Sequence, residues 1–227
     1  MRGVTEDISK RNAEGVFQDR RDAALQLADL LSDYSNSGAV VLVLPPEGVE
    51  VGVEIARLLF LRFDVVIVRE IVSPEDTTMV FGAMAPDDVM ITDETMSNMT
   101  NLPEDVYRRA LSTAKQAVAW RVDQYRGPGT GPELRGKTAI LVSDGMANPV
   151  RMLAAVKYAR KRGAASIVVA VPTATARALE ALREKADDIR CVNVHYKGEF
   201  SLGLAYRTNS AQTERDAVAA YRLAMSR

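Results

Sequence analysis

The sequence predicts an α/β protein with a doubly wound, mainly parallel sheet flanked by helices and a small antiparallel flap. Three observations carry that prediction. Five apolar runs of strand length recur along the chain, continuous rather than alternating, as strands are when both faces of their sheet are covered. Between them lie segments whose apolar residues return at helical spacing. Strand, turn, helix and strand also follow one another within about 30 residues, between positions 40 and 69, which is the pattern of a right-handed βαβ unit with parallel strands.

In order, residues 1–16 are polar and unpatterned and read as a leader, with a single domain over 17–227. A first helix is expected over 18–32, where Ala23, Ala24, Leu27, Leu30 and Leu31 fall on one face. A buried strand over 40–44 is broken by Pro45-Pro46-Glu47-Gly48. The helix expected next, over 49–61, turns Val53, Ile55, Ala56, Leu59 and Phe60 inward. A second strand covers 64–69. The flap is expected over about 73–100, with short strands at 79–84 and 89–92 either side of Pro86-Asp87-Asp88. The longest helix, 103–125, is entered near Asn101 and presents Val106, Ala110, Ala114, Ala117, Val118 and Trp120 as its apolar face. An irregular Gly- and Pro-rich loop, 127–136, follows it. Sheet strands on both sides of that loop argue against a domain boundary there.

The stretch Thr138-Ala139-Ile140-Leu141-Val142 is the third strand and runs through a polar loop, 143–148, into an amphipathic helix. Asn148 is a good N-cap, and Pro149 suits the first helical position, where its missing N–H is no loss. Strands at 166–171, ended by Pro172, and at 191–195 complete the set. Helices are expected over 175–186 and 213–225. The segment 196–206, with Gly198, Phe200 and Gly203, reads as a loop that closes over the sheet.

Composition narrows the function. With 47% hydrophobic and 26% charged residues the chain is globular rather than disordered. A formal net charge of -1 supplies no global field for nucleic acid or an anionic membrane. One cysteine, Cys191, excludes an intramolecular disulfide and sits in an apolar run as a core residue. The N-terminus has no apolar signal core, and no run approaches the ~18 apolar residues of a membrane span, so a soluble cytoplasmic protein is expected. A homo-oligomer is left open.

In doubly wound sheets ligands sit beyond the carboxyl ends of the strands. That rule brings 45–48, 70–76 and 143–148 to one rim. Amides from Gly145 to Asn148, at a helix N-terminus, suit a phosphate. Asp144 suits ribose hydroxyls or a metal, and Arg151, one turn into the helix, suits a charge-assisted contact. An Asx-type turn and a solvated arginine are the equally open alternatives. His195 reads as structural. Asp87-Asp88 and Asp187-Asp188 read as solvated turns, because no His or Cys cluster accompanies them. Lys157, Arg160, Lys161 and Arg162 complement a helix dipole.

On these residues the chain resembles the type I phosphoribosyltransferases. Val142-Ser143-Asp144-Gly145-Met146-Ala147-Asn148 is similar to their phosphoribosyl pyrophosphate loop, and Leu44-Pro45-Pro46-Glu47-Gly48 lies where a bacterial and archaeal subgroup has a pyrophosphate loop. Asp64 to Arg69, Phe81-Gly82-Ala83, Val168 to Pro172 and Gly203 to Tyr206 resemble the same subgroup. The resemblance implies a magnesium-dependent transfer of phosphoribosyl between pyrophosphate and a nitrogen acceptor. In that scheme Asp144 holds the ribose, the loop to Asn148 the 5-phosphate, and Pro46, Glu47 and Gly48 the pyrophosphate.

The departures fall on the motif. Ser143 stands for an acidic residue, Pro149 for a glycine that would donate an amide, and Pro46-Glu47 for an Arg-Gly pair; Glu70 stands where the subgroup usually has Lys. Each lost charge-assisted hydrogen bond removes about 1.5–3 kcal/mol. The expectation is therefore a phosphoribosyltransferase-like protein that binds a small phosphate or nucleotide through Ser143, Asp144, Gly145, Met146, Ala147, Asn148, Arg151, Pro46, Glu47 and Gly48, with transfer weakened. An active phosphoribosyltransferase is the alternative, with Mg2+ if catalytic and no cofactor otherwise. No catalytic residue and no metal ligand is assigned.

Overall fold

The computed structural model describes residues 4–6, 15–92, 103–127, 131–197, 200–208 and 212–226. Among these residues are nine strands and six α-helices: β1 Val4–Glu6, α1 Arg20–Leu30, β2 Val40–Val43, α2 Gly48–Leu58, β3 Arg62–Val65, β4 Arg69–Val72, β5 Val80–Ala85, β6 Val89–Thr92, α3 Glu104–Arg126, β7 Thr138–Val142, α4 Val150–Lys161, β8 Ser166–Thr175, α5 Ala176–Leu182, β9 Asp188–His195 and α6 Glu214–Met225. Six of the strands form a parallel sheet in the order β1-β9-β8-β7-β2-β3. The other three, β4-β5-β6, form an antiparallel flap.

Both faces of the central strands β2 and β7 are buried, which is why these strands are continuously apolar rather than alternating. Val41 and Val43 of β2, with Ile140 and Val142 of β7, join one core with residues of α1, α2, α3 and α6. Val40 and Leu42, with Ala139 and Leu141, join a second core with α4 and α5. Burying each such Val or Leu side chain is worth about 1.5–3 kcal/mol, so a polar residue on either face is selected against.

Several expectations are corrected. The leader was expected to carry no pattern, yet Val4–Glu6 pairs in parallel with Ile189, Arg190 and Cys191 as the sixth strand. An edge strand of three residues, none of them buried, leaves no apolar run to detect. The strand expected over 64–69 is two: β3 ends at Val65, and the buried Val66, Ile67 and Val68 carry the chain out of the large sheet into β4 of the flap. The flap therefore begins at Arg69; positions 93–100 of the expected flap, with Asn101 and Gly198, lie outside the described residues.

Pro172 does not end β8. The ladder to β9 passes over it and resumes at Thr173↔Asn193, so only one donor is lost. Phe60 is 79% exposed, because α2 stops at Leu58 and Phe60 takes a positive φ of 54° that swings it off the helix face. Trp120 is 56% exposed. Val106, Ala110, Ala114 and Val118, spaced by four, define the buried stripe of α3, and Trp120 lies across the helix from it. At the turn of the flap hairpin Asp87 and Asp88 have φ of 60° and 55°, a left-handed pair at the centre of a turn closed by the Val89 amide on Pro86 O.

The chain steps outward from β2 to β3 in one direction, and from β7 through β8 to β9 in the other. The order thus reverses between the neighbours β2 and β7, and a crevice opens beyond their carboxyl ends.

Candidate ligand cleft

The loop leaving β7 is set by local hydrogen bonds. Asn148 Oδ1 accepts from the Val150 amide at 2.9 Å, but the helix starts one residue later than expected, with Pro149 rather than Asn148 at the N-cap position. Ser143 Oγ donates to the Gly145 carbonyl at 3.0 Å. The Met146 amide donates to Thr173 O and its carbonyl accepts from Thr175 N, pinning the loop beside the far end of β8. Four amides, Gly145 to Asn148, were expected to face a ligand. Met146 is spent on β8, which leaves those of Gly145, Ala147 and Asn148 without a partner among the described residues. Gly145 gives Leu202 room: a Cβ there would lie 2.0 Å from Leu202 Cδ1 and would push that side-chain tip aside.

These residues line a cleft of about 490 Å³, together with Arg20, Leu44, Glu47, Glu70, Arg151, Met152, Leu202 and Gln212. Of the expected set, Ser143, Asp144, Gly145, Met146, Ala147, Asn148, Arg151 and Glu47 are therefore brought together. Pro46 and Gly48 are not part of the lining. Pro46 O accepts from the Val49 amide, and a Cβ on Gly48 would lie 3.1 Å from Ser143 Cα. Gly48 thus lets the start of α2 rest against the end of β7. Arg151 is not a solvated helix residue: its Nη2 donates to Pro45 O at 2.8 Å, and its buried Nε has no partner among the described residues.

Arg20, the first residue of α1, is the cationic member of the site that sequence reasoning missed, as it also missed Met152, Leu202 and Gln212. It stands 124 positions from Asp144, yet its Nε and Nη2 donate to Asp144 Oδ2 at 3.3 and 3.2 Å, with both residues buried. Two segments laid side by side hold it there. The Gly15 and Phe17 amides donate to Leu204 O and Ala205 O, while those of Arg207 and Thr208 donate to Phe17 O and Gln18 O. Tyr206 in this strap donates its hydroxyl to Asp144 O, and its ring lies 5.7 Å from the Arg20 guanidinium. No spacing in the sequence signals the pair, although Tyr206 falls in a stretch singled out by resemblance.

Burial raises the Asp144 carboxyl to about 6, against the opposing pull of Arg20, and Glu47 pushes in the same direction as burial. Asp144 is thus mainly ionised at neutral pH but close to protonation. Burial likewise pushes the Tyr206 phenol up. The lining carries two arginines against the carboxylates of Glu47, Glu70 and Asp144. Just outside it, burial and the neighbouring Arg69 and Arg151 lower the pKa of Arg121, which pairs with Glu214.

Other candidates are structural. Cys191 is buried, and burial raises its thiol far above the ordinary range. His195 Nε2 lies 2.9 Å from Asn193 Nδ2, with its ring edge-on to Phe200. Asp188 is not a solvated turn but a buried residue bound to Arg190 and Tyr34. Lys157 and Lys161 donate to Met90 O and Asp87 O, so the basic end of α4 ties down the flap. Among the described residues no group of three His, Cys, Asp or Glu could hold a metal ion, and no helix is long and apolar enough to cross a membrane.

No protein-family model matches the chain. Two curated proteins of Mycobacterium tuberculosis, from strains CDC 1551 and H37Rv, bear the name "Putative phosphoribosyl transferase"; each is 32% identical over 210 residues, 91% of this chain and 46% of its own length. The chain spans about half the length of the curated relatives it matches. The crystal structure of TT1426 from Thermus thermophilus is similar with a TM-score of 0.75 and 28% identity, covering 90% of this chain and 97% of that one.

Fold and cleft define a doubly wound α/β protein with a ligand crevice at its topological switch point. Over 91% of its length the chain is similar to these relatives, whose name is that of the family its loops resemble.

Proposed function

We propose that the cleft binds a nucleoside monophosphate or a similar phosphate monoester and does not transfer phosphoribosyl. The observation that carries this reading is the lining itself. Three amides of the loop before α4 that have no partner among the described residues suit one phosphate group, whereas Glu47 and Glu70 line the same cleft as additional negative charges. A pyrophosphate leaving beside those carboxylates would be repelled at the moment its own charge grows, and stabilisation of that charge is what a transferase must supply. A monoester meets the amides and Arg151 and leaves the carboxylates to hydrogen-bond donors on the rest of the ligand.

Homology favours a second reading, transfer from phosphoribosyl pyrophosphate to a nitrogen acceptor. One calorimetric experiment separates the two. AMP is expected to bind, and phosphoribosyl pyrophosphate with magnesium to bind at least tenfold more weakly, a difference of about 1.4 kcal/mol. Tighter binding of phosphoribosyl pyrophosphate, with release of pyrophosphate when nitrogen acceptors are added, would establish the transferase instead.

A further inference from the structure

The family resemblance implies Mg2+, and the residues in this cleft do not fit it. Magnesium takes oxygen ligands at close to octahedral geometry, in general one or two carboxylates together with ligand phosphates and water. The loop after β7 offers a single acidic side chain, Asp144, whose Oδ2 already accepts two N–H groups from Arg20, so a divalent ion on its other oxygen would sit beside a fixed positive charge. Ser143, in the neighbouring position, is neutral and turned onto the Gly145 carbonyl. Glu47 and Glu70 complete no three-ligand group with Asp144.

A guanidinium stays charged at any pH a protein survives, and its planar fork matches a carboxylate. Arg20 is moreover only 6% exposed, so it does not swing aside as a surface arginine would. The strap beneath it, with Tyr206 on both the guanidinium and the Asp144 carbonyl, fixes it in place.

We infer that Arg20 is the resident cation of this cleft: it excludes a divalent ion from Asp144 and supplies the positive charge there, so that a phosphorylated ligand binds without metal. Asp144 Oδ1, which has no partner among the described residues, is left to accept from a ligand hydroxyl. This rests on the monoester reading above, and the experiment is arranged so that the two fail differently.

AMP is titrated calorimetrically in EDTA and in excess Mg2+, and Mn2+ alone is titrated by paramagnetic resonance. For the wild-type protein the AMP affinity in the two buffers agrees within about twofold, and Mn2+ remains free. Arg20→Gln leaves Asp144 unpaired; it is expected to weaken AMP binding in EDTA by tenfold or more and to create a Mn2+ site. Arg20→Lys keeps the charge without the fork and is expected to remain metal-independent, which covers the case in which the neutral variant fails to fold. Wild-type AMP binding that is lost in EDTA and restored by Mg2+ overturns the inference, as does tight Mn2+ binding by the wild-type protein that Asp144→Asn abolishes. Silence toward AMP in both buffers with Mn2+ still excluded overturns the ligand reading and metal-free binding with it, while exclusion by Arg20 stands.

Discussion

Two buried aspartates, one at each end of the large sheet, are held by arginines in nearly the same way and serve different ends. Asp188 begins β9; its Oδ2 accepts from Arg190 Nε at 2.9 Å and from the Tyr34 hydroxyl at 3.0 Å, and its Oδ1 from the Ile189 amide at 2.9 Å. Arg190 in turn reaches Leu30 O and Asp33, and lies 5.7 Å over the Tyr34 ring. Asp144, beyond the end of β7, has the same kind of partners, an arginine 5.7 Å over a tyrosine ring, but at 3.2–3.3 Å and through one oxygen only. There the tyrosine bonds the backbone and not the carboxylate. A saturated carboxylate is a fastening. A carboxylate with a free oxygen facing a cleft is a fastening that can still bind something.

The largest expected effect tests that difference. Asp188→Ala leaves the Tyr34 hydroxyl and the Ile189 amide without their acceptor, each at a cost of about 1–3 kcal/mol, while Arg190 keeps Leu30 O and Asp33; it should destabilise the fold without change in AMP affinity once folded. Asp144→Ala, beside a cleft that admits water, should cost about 1–3 kcal/mol and abolish AMP binding. Urea denaturation of both variants checks the ranking, and the reverse order would dissolve the comparison.

Next in size is a pH effect confined to Asp144. Its folded-state pKa of about 6 stands above the ordinary 3.8, so the folded protein takes up the proton more readily than the unfolded chain. That contribution to stability is fully present below pH 3.8 and is lost as pH rises through 6. Unfolding free energies measured between about pH 7 and 5 should therefore show a gain on acidification in the wild-type protein that is missing in Asp144→Asn.

The smallest effect compares the tyrosines. Tyr34→Phe and Tyr206→Phe each remove one hydrogen bond and should cost about 1 kcal/mol apiece in thermal or urea unfolding. Only Tyr206→Phe should also weaken AMP binding, because only that hydroxyl steadies the loop lining the cleft.

What could be read in advance follows the range of the interactions involved. The strands β2, β7 and β8 and helices α1, α2, α3, α4 and α6 were legible because periodicity is a property of ten or so neighbouring residues, and burial on two faces leaves a continuous apolar run. The loop 143–148 was legible because a strand end, a cap and a helix start adjoin in the chain. Trp120 and Phe60 misled because apolar character was read without the exact phase of the helix or the place where it stops. Pro172 misled because a ladder can pass over one missing donor.

By itself the amino-acid sequence determined the layered α/β architecture, the carboxyl-end rim and the helix mouth that faces it, since each is written in contiguous residues. Only the tertiary structure decided that Met146 is spent on β8, that Gly48 serves close packing, and that Arg20 meets Asp144 from 124 positions away. The physical reason is that charge pairing and steric approach depend on distance in space, and a strap such as 15–18 against 204–208 creates that proximity without leaving a periodic mark along the chain.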